Sequence, residues 1–161
     1  MRKRSAKAAK TVSEAPPALR LGFFDASALV KAYVLEPESV SVRRGLSEGI
    51  VAVSRLSHVE VASALGRRWR EGLLSDKEHA AALAAFATDV ERWVIVELTD
   101  AVARHACQLI DMHALRAGDA IQLASALEAR DRMPGVFGSF VAYDVRLCAA
   151  ARAEGLTTIE Y

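Results

Sequence analysis

Short apolar runs alternating with longer stretches of helical periodicity constrain this chain more than any other feature. Leu21 to Asp25, Ile50 to Val53, Trp93 to Val96 and Phe140 to Tyr143 are too short for helices and read as buried strands; Thr157 to Glu160 predicts a short final one. Ser27 starts a helix that must end before Pro37, because a residue ahead of proline avoids helical geometry. Glu38 to Glu48 predicts a second helix, stopped by Gly49. Leu56, Val59, Ala62, Leu65 and Trp69 mark one face of a long helix ending near Gly72. Ser75 with Glu78 forms a capping-box signature for a helix to about Arg92. Thr99 caps a helix to about His113, Asp119 begins one to about Arg130, and Val145 to Ala153 forms the last. Strands separated by helices pair in parallel through right-handed crossovers. The expected fold is therefore α/β, with a mostly parallel central sheet of four to five strands.

A chain of 161 residues is the size of one domain and can bury a real core. Aromatics are only 6% of it against 52% apolar residues, so Ala, Leu and Val must fill that core. No apolar stretch approaches the ~20 residues that a spanning helix needs, and residues 1–20 lack the apolar centre of a signal peptide. Cys107 and Cys148 have no metal spacing and predict small core residues in a reducing compartment, which together point to the cytoplasm. Residues 1–20 hold six basic residues against one acid and end near Pro16-Pro17, which predicts a basic, disordered tail. The remaining residues, 21–161, carry fifteen basic and nineteen acidic groups; this part lacks the strongly basic footprint of a nucleic-acid-binding domain.

Four acids then stand out, each in a different segment. Asp25 and Asp144 end strands, Asp119 opens a helix, and Glu60 lies within one. Singly, Asp25, Asp119 and Asp144 each read as a helix cap, and Glu60 shares a stripe with Ala64, Arg67 and Arg68 that reads as a solvated ion-pairing face. Together they gather at the edge of a parallel sheet where open α/β folds bind ligands. An all-carboxylate set suits Mg²⁺ or Mn²⁺ rather than Zn²⁺. The four histidines share no spacing and predict no metal or base role; Lys31 reads as structural, and Trp69 and Trp93 as packing residues.

The residues around these acids match a family pattern. Asp25-Ala-Ser-Ala-Leu-Val-Lys resembles the opening motif of PIN-domain ribonucleases, and His58-Val-Glu60-Val-Ala-Ser-Ala-Leu their second acidic motif. Leu115-Arg-Ala-Gly-Asp119-Ala-Ile-Gln-Leu-Ala-Ser-Ala-Leu resembles the third, and Phe140-Val-Ala-Tyr-Asp144-Val-Arg-Leu-Cys the fourth. Their order and spacing are similar to those of VapC-type toxins from bacterial toxin–antitoxin pairs, over about residues 21–161. The resemblance implies a PIN-like three-layer α/β/α domain. It implies a Mg²⁺- or Mn²⁺-dependent endoribonuclease that hydrolyses RNA with metal-activated water. Asp25, Glu60, Asp119 and Asp144 are its expected catalytic and metal-binding residues, with Ser27 and Arg116 in support. The implied partners are an RNA substrate, a VapB-type antitoxin and a second copy of the chain. The antitoxin is expected to lay a segment over the acidic edge and to use an apolar groove formed by the helices after Val30 and Leu56. The chain departs from many relatives at Ala26 and Ala142, where they carry hydroxyl residues. That departure supports the alternative, a catalytically weak PIN-like RNA- or protein-binding module. A haloacid-dehalogenase-like phosphatase would need an acid two residues past Asp25, where this chain has Ser27.

Overall fold

The computed structural model describes residues 19–160; the prediction of a basic tail falls, for residues 1–18, outside the described residues. In chain order the elements are β1 (Leu21–Phe24), α1 (Ala26–Tyr33), α2 (Ser39–Ser47), β2 (Ile50–Ser54), α3 (Leu56–Arg70), α4 (Asp76–Val90), β3 (Val94–Val96), α5 (Asp100–His113), α6 (Ala117–Arg132), β4 (Phe137–Val141), α7 (Val145–Ala153) and β5 (Thr158–Ile159). The five strands pair in parallel in the order β3-β2-β1-β4-β5. The chain moves outward from β1 through β2 to β3, then returns to place β4 on the other side of β1. That reversal opens a crevice beyond the carboxyl ends of β1 and β4.

Alternation along the strands feeds two cores, as a two-faced sheet requires. Phe23, Ala52 and Phe140 face α5, α6 and α7, while Phe24, Val51, Val53 and Val141 face α1, α3 and α4. The Phe23 and Phe140 rings stack at 5.8 Å between centroids. The small-aliphatic core is clearest in α6, where Ala120, Ala124 and Ala126 are fully buried and let the helix lie close to its neighbours.

Several expectations need correction. The core face of α3 is Ser57, Val61, Leu65 and Gly66; Val59 is 68% exposed and Trp69 42% exposed. Trp69 instead stacks on His79 and donates to Asp76 at 2.7 Å, so it clasps α3 to α4 at the surface. Helix α6 starts at Ala117, two residues before the predicted start, and β4 runs Phe137–Val141 rather than Phe140 to Tyr143. Cys148 is buried as expected, but Cys107 is exposed. Lys31 is structural: it pairs with Glu36 and Glu38 at 2.9 and 3.1 Å and lies over the Tyr143 ring. Arg68 also pairs with Glu36, so α1, α2 and α3 share one ion network.

Candidate active site

Each strand or helix end at the crevice delivers one acid. Asp25 follows β1 directly and caps α1, accepting from the Ser27 amide at 3.0 Å and from the Ser27 hydroxyl. The same hydroxyl accepts the Tyr143 amide at 3.1 Å, so Ser27 ties the end of β1 to the loop after β4. Asp144 lies three residues beyond β4 and caps α7, accepting from the Arg146 and Leu147 amides, each at 2.9 Å. The cap readings of Asp25 and Asp144 are correct; that of Asp119 is not. Arg116 occupies the N-cap of α6 without a side-chain cap bond, and Asp119 sits in the first turn.

Glu60 reaches the site from the opposite layer. Helices α3 and α6 lie on different faces of the sheet but meet beyond the end of β2, where Ser54 accepts a buried hydrogen bond from Ser125 at 3.1 Å. Gln122 donates to Glu60 Oε2 at 2.7 Å and to Ser57 Oγ at 2.9 Å. Gly118 makes room for this approach: a Cβ there would stand 2.7 Å from Glu60 Oε1. Glu60 is thus a half-buried, anchored carboxylate, and the expectation of a freely solvated face fails at this position.

The four acids repel one another in sequence around the crevice. Burial pushes Asp25 up from 3.8 to about 6, against the lowering effect of its Ser27 hydrogen bonds, and the Glu60 charge adds to the rise. Burial raises Glu60 as well; Gln122 opposes the shift and Asp119 reinforces it. Burial also raises Asp119, with repulsion from Asp144 added, while Arg116 and Arg146 counteract it. None of the four is in an ion pair among the described residues. An all-carboxylate set in no ion pair, with only Asp119 offset by Arg116 and Arg146, has the donor chemistry of a hard divalent cation. Among the described residues no three acid, imidazole or thiol side chains meet closely enough to ligate one ion. The cause is local: Asp25 turns to Ser27, Glu60 to Gln122 and Asp144 to the amides of its own helix.

Gln122, Gly118 and Arg146 were missed by sequence reasoning. Gln122 carried a signal, since a lone amide within the Ala- and Leu-rich run after Asp119 is 1% exposed and needs a buried partner. His58, which opens the second motif, is a packing residue. Its ring meets Phe86 edge-on at 5.8 Å, its Nε2 lies 3.2 Å from Arg55, and burial lowers its pKa. At the opposite edge of the sheet, a cleft of about 1310 Å³ opens between α1, α2 and α4, lined by Leu35, Leu46 and Trp93 together with Arg43, Arg68 and Asp89.

Comparison with known proteins agrees with this architecture. The PIN domain family model matches residues 22–153. Ribonuclease VapC45 of Mycobacterium tuberculosis (strain CDC 1551 / Oshkosh) is 39% identical over 145 residues, covering 84% of this chain and 92% of that protein. The crystal structure of M. tuberculosis VapC20, a sarcin–ricin-loop-cleaving toxin, superposes with a TM-score of 0.61 at 18% identity, covering 80% of this chain and 94% of that one. A toxin–antitoxin complex from Klebsiella pneumoniae gives 0.59 at 16% identity, covering 80% and 90%. The two solved structures share the fold. With the family model spanning most of the chain and a curated relative aligned along nearly its whole length, the chain belongs to the PIN-domain family, in its VapC-type group.

Proposed function

We propose that the chain is a Mg²⁺- or Mn²⁺-dependent endoribonuclease, the toxin of a toxin–antitoxin pair, with Asp25, Glu60, Asp119 and Asp144 as its metal-holding catalytic residues. The observation that carries this reading is the placement of four carboxylates, none in an ion pair among the described residues, by β1, α3, α6 and the loop after β4 around the crevice between β1 and β4. Its support in the relatives is the ribonuclease name of VapC45. A bound divalent cation would supply a more acidic water and neutralise charge on the scissile phosphate. Asp25 and Asp119 would hold the ion, Glu60 would complete its shell, and Asp144 would act from the second side of the crevice. Ser27 and Gln122 orient Asp25 and Glu60 through the hydrogen bonds already described. The cleft on the far edge of the sheet, apolar at Leu35, Leu46 and Trp93 and charged at Arg43, Arg68 and Asp89, is suited to an amphipathic antitoxin helix, and a trailing segment would have to pass around the domain to cover the acids. Homodimerisation and a cytoplasmic location belong to the same reading. Among the described residues no helix is long and apolar enough to cross a membrane.

The test is cleavage of structured and unstructured RNAs by antitoxin-free protein in Mg²⁺, Mn²⁺ or EDTA, beside Asp25→Asn and Asp119→Asn. Cutting that requires metal and disappears in both variants is the expected result. A folded, metal-loaded protein that cuts no RNA would leave the binding-module alternative in its place.

A further inference from the structure

Two arginines at the crevice, Arg116 and Arg146, offset the charge of Asp119 without forming an ion pair. Arg116 is the N-cap of α6 and Arg146 lies in the first turn of α7, so both stand at the mouth of the crevice beside Asp119 and Asp144. Both side chains are exposed. Neither makes a side-chain hydrogen bond or ion pair among the described residues; each guanidinium attracts the Asp119 charge without bonding it. Several arginines elsewhere pair with acids, as Arg55 does with Glu97 and Arg104 with Asp100, whereas the exposed Arg67 and Arg70 of α3 make no ion pair among the described residues.

Their positions also run against helix energetics. A cation in the first turn opposes the positive end of the helix dipole, and an arginine N-cap offers no acceptor to the free amides. Helices α1, α4, α5 and α7 use Asp25, Ser75, Thr99 and Asp144 as caps. Two exposed guanidinium groups near Asp119 but not bonded to it keep their donor forks open to an anion. Both arginines act electrostatically on Asp119, which places them within reach of whatever binds there.

We propose that Arg116 and Arg146 form a clamp for a backbone phosphate of RNA, holding the strand across the crevice next to the carboxylates. The clamp rests on the ribonuclease reading above. Guanidinium groups suit this task because they bind phosphate oxygens in a bidentate, planar fork. The clamp positions substrate and leaves the bond-breaking step to the carboxylate site. Its loss raises KM and spares kcat.

The experiment compares wild type with Arg116→Ala, Arg146→Ala, the double variant and Arg116→Lys/Arg146→Lys. Arg132→Ala, which removes one charge from the far end of α6, is the control. Cleavage of a fluorescein-labelled single-stranded RNA is measured at saturating Mn²⁺ over a range of salt, with Mn²⁺ affinity determined separately by calorimetry. Each alanine should raise KM by about tenfold, with kcat held within about twofold. The double variant should reduce the slope of log KM against log salt by about 0.7 for each phosphate that the protein no longer neutralises. Lysines should restore part of the affinity, and Arg132→Ala should behave as wild type. Unchanged KM and salt slope in the double variant, or a loss confined to kcat or to Mn²⁺ affinity, would overturn the clamp while leaving the ribonuclease reading intact. A wild-type protein that neither binds nor cuts RNA would overturn both.

Discussion

Asp25 is 5% exposed, and what stabilises its charge is the Ser27 hydroxyl and amide, with no cation. The folded chain therefore holds the Asp25 proton up to about 6, whereas an unfolded chain releases it near 3.8. Between those values the native state binds more protons than the unfolded state, so stability falls as pH rises through the window. Full ionisation costs the metal-free protein roughly 3 kcal/mol. Asp25→Asn keeps an acceptor for the Ser27 amide and removes the charge. Thermal melts in EDTA should show the variant more stable than wild type at neutral pH, with a flatter stability profile below about pH 6. RNA cleavage should be lost. A variant less stable than wild type at neutral pH would mean that the charge is compensated by something other than Ser27. The identity of this residue was legible because a strand ending in Asp carries its own signal. The depth of its burial was not, because that depends on Tyr143 and β4 closing over Ser27 from more than a hundred positions away in the sequence.

Helices α3 and α6 show what local pattern can and cannot reveal. The stripe of Leu56, Val59, Ala62, Leu65 and Trp69 has helical spacing, yet the buried face is Ser57, Val61, Leu65 and Gly66. The apolar period misleads because the real interface is partly polar: Ser57 meets Gln122, and Ser54 meets Ser125. Hydroxyls and amides satisfy one another there, so hydrophobicity does not mark the face. The start of α6 was misplaced for a related reason, since Arg116 at the N-cap breaks the usual capping chemistry that placed Asp119 at the boundary. Gly118 ties both helices to the site. An alanine Cβ would lie 2.7 Å from Glu60 Oε1, the end of a flexible side chain, so the carboxylate moves rather than the backbone. Alanine is also the better helix former by about 0.5–1 kcal/mol. Gly118→Ala should thus leave the melting temperature equal or higher while Mn²⁺ affinity and cleavage fall by about 10–100-fold. Calorimetry and a cleavage assay on the same preparation separate the two effects. Undiminished cleavage would mean that Glu60 is free to work from another position.

At the scale of the whole molecule the strand order decides where the chemistry sits. Because β2 and β4 flank β1 on opposite sides, the switch in strand order places a crevice at the carboxyl ends of β1 and β4, and Asp25 and Asp144 border it. Glu60 and Asp119 come from helices on opposite faces of the sheet. Any ion shared among them would therefore cross-link both layers and bind the native state in preference to the unfolded one. At a hundred times its dissociation constant such an ion stabilises the fold by about 2.7 kcal/mol, which raises the melting temperature of a domain this size by roughly 5–10 °C. The effect must depend on pH, because the ion competes with the proton that burial holds on Asp25 up to about 6. Melts with Mn²⁺ should show the larger rise at about pH 8 and a much smaller one at about pH 5, each reversed by EDTA. The Asp25→Asn/Asp119→Asn double variant should show almost none at either pH. An equal rise at both pH values, or one that survives the double substitution, would place the ion away from the crevice and detach the four acids from any common metal.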